Sequence, residues 1–190
     1  MATGVRAIDE ALGGGLPPGR LTELVSETAG SGGQLALSRL LTTTRQAGQR
    51  VALIDAADGF SPEHVPEDTL RHLVWVRPHT FAQTLAAADI LVRDGNYSVL
   101  VLDLRGISDR ELLNTPKSNW HRLQRAAESR PTAVLVQTTR AAVPAVPWRL
   151  TLRHTPGLSV RRIPQWQILE SLQVEVLRGH QVYDDEELTA

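Results

Sequence analysis

The sequence predicts an α/β fold in which a mostly parallel central sheet is flanked by helices, with antiparallel hairpin strands at the C-terminal end. Over the first 137 residues, apolar segments of strand length alternate with segments in which leucine and alanine recur at helical spacing. This alternation is typical of a parallel sheet covered on both faces, which carries ligands at the carboxyl ends of its strands. After residue 137 apolar residues recur at every second position, which is typical of antiparallel strands.

The first unit is predicted to be a strand, a glycine-rich loop and a helix. The apolar segment 21–25 forms the strand, small residues fill the loop 26–33, and leucines at helical spacing predict a helix over 34–46. Gly48 ends this helix, because glycine readily adopts the left-handed conformation in which helices terminate.

The alternation then continues to residue 137. Strands are predicted at 50–56, 72–76, 98–102 and 132–137, and helices at 81–93 and 119–129. Asp55 and Asp103 stand at the tips of two of these strands. The last three segments, 148–154, 158–163 and 172–178, are predicted to be antiparallel strands that close one sheet edge, with a connecting stretch at 164–171.

Length and composition indicate a single domain over residues 1–183, followed by an acidic tail at 184–190. The net charge of -1 gives no global field that would gather nucleic acid. No apolar run approaches the ~20 residues that cross a bilayer, and neither a secretion signal nor a cysteine is present. We therefore expect a cytoplasmic protein without a membrane contact. The histidines lack the spacing of a zinc site, so no metal site is predicted.

The residues before the first strand resemble the segment that leads into the phosphate-binding loop of the RecA superfamily. The match consists of Thr3-Gly4-Val5, Ile8-Asp9, Leu12-Gly13-Gly14-Gly15-Leu16-Pro17-Pro18-Gly19-Arg20 and Glu23. The later order is also kept, including the aspartate-tipped strand 99–103 and a strand at 133–137 with Arg140 after it. The resemblance spans roughly residues 3–180 and implies a RecA-like core.

The phosphate loop itself departs from the family pattern G-x-x-x-x-G-K-[ST]. In that pattern backbone amides cradle the phosphates, the lysine reaches the β- and γ-phosphates, and the hydroxyl holds magnesium. The aligned residues here are Ser26, Glu27, Thr28, Ala29, Gly30, Ser31, Gly32 and Gly33. Gly32 takes the lysine position and Gly33 the hydroxyl position, so the loop is degenerate. The one lysine of the chain, Lys117, lies far along the sequence and is not expected to replace the missing charge.

A second departure concerns the water-positioning glutamate, whose place in the match is taken by Ala57. Asp103 matches the magnesium-associated (Walker B) aspartate, and the alternative is a structural acceptor for backbone amides beside the loop. We therefore predict no catalytic residue, no meaningful hydrolysis and no cofactor. Weak binding of ATP or phosphate by the amides of Gly30 to Gly33 stays open, as does a purely structural turn.

Two features bear on DNA and on partner proteins. The segment 138–147 is too short for the DNA-binding loop of recombinases, and because the match begins at Thr3 we expect no counterpart of their polymerisation segment. The arginines of the C-terminal segments form either a phosphate-contacting stripe for DNA or a partner, or a soluble sheet edge; they are Arg149, Arg153, Arg161, Arg162 and Arg178. Trp166 is the candidate anchor for a partner protein.

As a RecA paralogue whose phosphate loop has no lysine, this chain is most similar to the ImuA group, the accessory proteins of translesion polymerases, or to the related SulA-type division inhibitors. The first resemblance implies a non-hydrolysing adaptor in the DNA-damage response that binds a translesion polymerase or another repair or replication factor, with at most weak DNA contact. The alternatives are a weak ATP-binding DNA repair or recombination ATPase, in which an arginine or a residue from a neighbouring subunit replaces the lysine, and an inhibitor of cell division in the SOS response. The oligomeric state is left open.

Overall fold

The computed structural model describes residues 1–28, 30–144, 146–153 and 163–178. Within these residues one sheet of seven strands has the order β3-β2-β4-β5-β1-β6-β7, with helices on its faces. The α/β fold class with a mostly parallel sheet is confirmed. The predictions for Arg161, Arg162, most of the strand 158–163 and the tail 184–190 lie outside the described residues.

The elements follow the predicted alternation closely. The strands are β1 (Leu21–Val25), β2 (Val51–Asp55), β3 (Leu73–Val76), β4 (Val99–Asp103), β5 (Ala133–Thr138), β6 (Trp148–Leu152) and β7 (Val174–Arg178). The helices are α1 (Arg6–Ala11), α2 (Gly33–Gln46), α3 (Glu67–Leu70), α4 (Phe81–Asp94), α5 (Asp109–Leu113), α6 (Lys117–Glu128) and α7 (Gln165–Ser171), with a 3-10 turn at Pro62–His64. The short helices α1, α3 and α5 were not predicted, because segments of a turn or two carry little periodicity.

Alternation along the central strands divides the core into two layers. In β2, Val51 and Leu53 pack on the side of α2, whereas Ala52 and Ile54 pack on the side of α4 and α6. Successive side chains of a strand point to opposite faces, so a strand that is apolar at every position must be covered on both faces. The carboxyl ends of β1, β2, β4 and β5 consequently meet at one open edge, where the candidate site lies.

The predicted antiparallel C-terminal strands are confirmed for β6 and β7, which pair antiparallel. The pairing on the other side of β6 was not predicted: β6 is parallel to β1, with Thr22 opposite Trp148. Since β5 and β6 both run parallel to β1, the chain crosses from the carboxyl end of β5 to the amino end of β6. Period-two patterning does not distinguish parallel from antiparallel pairing, since both have the same side-chain alternation.

The stretch that was predicted to be a connection, 164–171, is mostly the helix α7. Pro164 precedes the first residue of α7, a position where the fixed φ of proline and its missing N–H are compatible with helix initiation. Helices in the described part of the chain are all too short or too polar to cross a membrane.

Candidate functional site

A cavity of about 560 Å³ lies at the carboxyl edge of the sheet. It is bounded by the loop between β1 and α2, by the tips of β2 and β4, and by the residues that follow β4. Asp55 and Asp103 stand side by side in the register of β2 and β4, so the two predicted strand tips do meet here. Clefts at this edge are where open α/β sheets bind ligands.

Gly32, in the lysine position, is the residue that caps α2, and its backbone is left-handed with φ 102°. A Cβ placed there would lie 2.6 Å from Cδ2 of Leu172, which is buried at the end of α7. A side chain at this position would therefore be strained in its backbone and would collide with the core. The lysine is therefore missing, and in addition the side chain of Leu172 occupies the space next to this position.

Gly33, in the position of the metal-binding hydroxyl, is confined by two polar atoms. A Cβ on Gly33 would lie 2.7 Å from Nη1 of Arg105 and 2.7 Å from Oγ of Ser26. The hydroxyl group of Ser26 and the guanidinium of Arg105 thus converge on the space in which a serine or threonine side chain would begin.

Arg105 is the cation of the cleft, and it is held by Asp103. Its Nε donates to Oδ1 of Asp103 at 2.8 Å, its Nη2 donates to Oδ2 of the same carboxylate, and its backbone N–H donates to Oδ1 at 3.2 Å. Nη2 also donates to Oε1 of Gln34 at 3.0 Å. Only 5% of the Asp103 side chain and 19% of the Arg105 side chain are exposed. The magnesium-associated aspartate therefore carries an internal counter-ion, and Gln34 is part of the site.

The second strand tip is also engaged by the chain itself. Asp55 accepts hydrogen bonds from the backbone N–H groups of Gly59 at 2.8 Å and Phe60 at 3.0 Å, and from Nε1 of Trp75 at 3.3 Å. Ala57, where the family has its water-positioning glutamate, is approached by Gly106, on which a Cβ would lie 2.2 Å from the Ala57 Cβ. Among the described residues that line the cleft the carboxylates are Asp55 and Asp103, and both accept hydrogen bonds from the chain itself.

These residues do not fit a triphosphate with magnesium in the family's manner. The hydroxyl that would hold the metal is absent at Gly33, its space faces a guanidinium, and the remaining carboxylate is bound to that guanidinium. The cleft does retain buried side-chain atoms that have no hydrogen-bond partner among the described residues: Ser26 Oγ, Ser31 Oγ, Gln34 Nε2 and Gln137 Oε1. Gln137 Nε2 donates to the carbonyl of Gly33 at 3.2 Å and so ties β5 to the start of α2.

Arg149 of the predicted arginine stripe belongs to a buried ion pair. Its Nε lies 2.5 Å from Oε2 of Glu23, a carboxylate with no exposed surface. Oε1 of Glu23 accepts from the backbone N–H groups of Ala142 at 2.7 Å and Val143 at 3.1 Å, and from Thr138 Oγ1 at 3.2 Å. The carboxylate on β1 thus fixes the turn that brings β6 back parallel to β1.

Arg153 is neutralised at the surface. It pairs with Glu175 of β7 and with Glu27 of the phosphate loop, both at 2.9 Å. The hydrogen bond with Glu175, followed by the charge of Glu27, raises the pKa of Arg153. Both arginines are thus accounted for without a ligand, and the DNA or partner contact stays a prediction. The backbone of Arg178 lies opposite Arg149 at the end of β7.

Trp166 lies on α7 with 60% of its surface exposed, beside a smaller hollow formed with α2 and Pro66. Its exposure agrees with the prediction, and its role as an anchor stays untested. The functional residue that the sequence analysis missed is Arg105. The signal for it is its place two residues after the aspartate of β4, although an arginine in a loop is more often an ordinary surface residue.

The comparisons with known proteins agree with the fold. Residues 1–112 match the family model described as the RecA N-terminal domain. The chain is 30% identical over 115 residues to the DNA repair and recombination protein RadB of Thermococcus kodakarensis, a match that covers 54% of this chain and 50% of that protein. It is 40% identical over 105 residues to the RecA protein of Acidothermus cellulolyticus and 37% over 106 residues to that of Rhodospirillum rubrum. These cover 53% and 54% of this chain but only 30% and 29% of the RecA proteins.

Proposed function

Because the chain belongs to the RecA family, whose N-terminal domain its residues 1–112 match, we propose that it is a catalytically degenerate member that acts as a non-hydrolysing adaptor. In this proposal it works in the cytoplasm, in the DNA-damage response, and binds a translesion polymerase or another repair or replication factor, as ImuA-like proteins do. The relatives are named for repair, recombination and RecA, and the chain spans about half of the first relative and less than a third of the RecA proteins.

The single observation that carries the proposal is the state of the phosphate loop. Gly32 lies under Leu172, and Gly33 faces the guanidinium of Arg105, which is bound to Asp103. Restoring the lysine and the hydroxyl would require at least two side chains to move. The loop therefore lacks two functional groups. In addition, Leu172 and Arg105 occupy the space that the two missing side chains would need.

The energetic consequence is large. Removing one preorganised donor from a transition state typically costs about 2.7–4 kcal/mol. Here the lysine and the metal-holding hydroxyl are replaced by Gly32 and Gly33, and the water-positioning carboxylate by Ala57. The combined loss favours a protein that uses its fold for docking instead of for turnover.

Two measurements test the proposal. Isothermal titration with ATP and magnesium chloride should give no binding heat, and a phosphate-release assay should give no release above the buffer rate, with or without single-stranded DNA. A RecA protein with an intact phosphate loop, run in the same assays, serves as the positive control. Micromolar ATP binding together with DNA-stimulated phosphate release would contradict the proposal.

A second candidate is favoured by the position of Arg105. Its Nη1 reaches the start of α2, so this guanidinium is the group that would take over the role of the lysine in an unusual ATPase. The variant Arg105→Ala separates the two functions. An ATPase that depends on Arg105 loses its turnover in this variant, whereas the adaptor has none to lose and keeps its partner binding.

A further inference from the structure

A further cavity lies on the opposite side of the sheet from α2. It measures about 660 Å³ and runs between α4, α5 and the start of α6. We name it the α4–α6 groove and define it by Phe81, Leu85, Arg110, Pro116, Asn119 and Arg122. Nothing in the phosphate-loop site uses it.

The floor of the groove is apolar. Phe81 and Leu85 are half-buried and pack against the core layer on this face of the sheet. Ala86 also lines the groove, and one helical turn further along α4, beyond the lining, Ile90 is 66% exposed. Apolar side chains at this spacing form one stripe on a helix, and an uncovered stripe of this kind marks a surface that binds another protein.

The rim and its surroundings are cationic. Arg110 and Arg122 stand on the rim, and outside the groove lining α6 carries the exposed cations Lys117 and Arg125. No acidic side chain of the described residues lies within ion-pair distance of Arg110, Lys117 or Arg125. This local excess of positive charge contrasts with the net charge of -1 of the whole chain.

The acidic residues nearby are mostly engaged. Glu111, on the rim, accepts a hydrogen bond from Oγ of Ser108 at 2.9 Å. Asp109 is paired with Arg140 at 2.7 Å. Asp89 is shared by Arg93 at 3.1 Å and Arg122 at 3.6 Å. The charge that the groove presents to a partner is therefore positive, with one carboxylate among the cations.

We infer that the α4–α6 groove docks an acidic amphipathic segment of a protein partner, an assignment that rests on the adaptor function proposed above. The apolar side chains of the segment enter over Phe81 and Leu85, and its carboxylates pair with Arg110 and Arg122. This is the helix-in-groove mode of recognition, in which apolar anchors give affinity and charges at the rim give specificity and speed of association.

A peptide fits this surface better than a nucleic acid does. Surfaces that bind single strands combine cations with several aromatic side chains on which bases stack. Phe81 is the one aromatic residue in the groove lining, and it lies at the half-buried floor.

The test is a selection of short random-sequence peptides displayed on phage against the full chain, followed by fluorescence anisotropy with labelled synthetic copies of the enriched peptides. We expect enriched peptides to combine several Asp or Glu residues with Leu or Phe at helical spacing, and to bind more weakly as salt is raised. The variant Arg110→Glu/Arg122→Glu should weaken binding by about tenfold or more. Ala86→Gln, which places a longer uncharged side chain in the groove and keeps its charge, should weaken it as well.

The matched control is Arg50→Glu/Arg71→Glu, which changes the net charge by the same amount at exposed positions outside the groove lining. It should leave the affinity unchanged, and circular dichroism should show that all variants are folded. The inference is overturned if no acidic consensus is enriched, or if the peptides bind Ala86→Gln as tightly as the parent. It is also overturned if a labelled single-stranded oligonucleotide binds the groove more tightly than every selected peptide.

These outcomes are distinguishable from a failure of the proposed function. ATP turnover combined with peptide binding in the groove would remove the adaptor assignment and keep the docking site. Peptide binding that survives all groove variants would keep the adaptor and remove the docking site.

Discussion

The substitution Gly33→Ala tests whether Arg105 occupies the space of the lost hydroxyl side chain. Gly33 is the first residue of α2, and at an unhindered helical position Gly→Ala stabilises a protein by about 0.5–1 kcal/mol. Here the added Cβ would lie 2.7 Å from Nη1 of Arg105, well short of ordinary van der Waals contact, which begins at 3.4 Å. Arg105 can retreat only by disturbing its hydrogen bonds with Asp103, which is buried.

We therefore expect Gly33→Ala to lower the free energy of unfolding by about 1–3 kcal/mol, the usual cost of overpacking. Ser26 Oγ lies equally close, but it has no partner among the described residues and can rotate away at little cost. The measurement is urea unfolding with linear extrapolation. Gly59→Ala is the matched control, because a Cβ at Gly59 meets open space and the change in stability should stay within about 0.5 kcal/mol.

The decisive comparison is the same substitution in the Arg105→Ala background. Removing the guanidinium opens the space, so Gly33→Ala should become at least about 1 kcal/mol less costly there than in the parent chain. Additivity of the two substitutions within about 0.5 kcal/mol would refute the reasoning, as would stabilisation by Gly33→Ala in the parent.

Three further predictions concern buried groups and the loop backbone. Glu23→Ala should cost about 3 kcal/mol or more in urea unfolding, because it leaves a largely buried arginine unpaired, whereas Glu128→Ala, from an exposed pair, should cost less than about 1 kcal/mol. Trp120→Ala, at a side chain that is 2% exposed, should lower the free energy of unfolding by about 3–5 kcal/mol in the same measurement. Trp166→Ala, at an exposed side chain, should lower it by about 0.5 kcal/mol or less. Similar costs for the two variants would contradict the difference in burial between these tryptophans. Gly32→Lys should destabilise the chain and give no ATP binding in isothermal titration, because φ at this residue is 102° and a Cβ would meet the buried Leu172. ATP binding by this single variant would show that the loop needs only a lysine.

Much of the fold was predictable because its signals are local. The apolar runs that became β2, β4 and β5 are buried at every position, and the helical spacing of leucines placed α2 within one residue of its observed start. The parallel pairing of β6 with β1 was not predictable, because parallel and antiparallel strands share the same period-two alternation. In the structure Glu23 on β1 holds the backbone of Ala142 and Val143, more than a hundred residues away along the chain and shortly before β6.

The candidate site, too, was predictable from the sequence only in part. The sequence by itself determined which chemical groups the phosphate loop lacks, since the residue at each aligned position can be read directly. Gly32 has no ammonium group and Gly33 has no hydroxyl. Only the tertiary structure decided what stands in their place. Arg105 reaches the loop from the segment after β4, and Leu172 from the end of α7. No periodicity or motif encodes contacts between segments so far apart along the chain. Such contacts are fixed by how the layers pack, because a space left by a glycine is filled by whichever neighbouring side chain the sheet and helices bring to it.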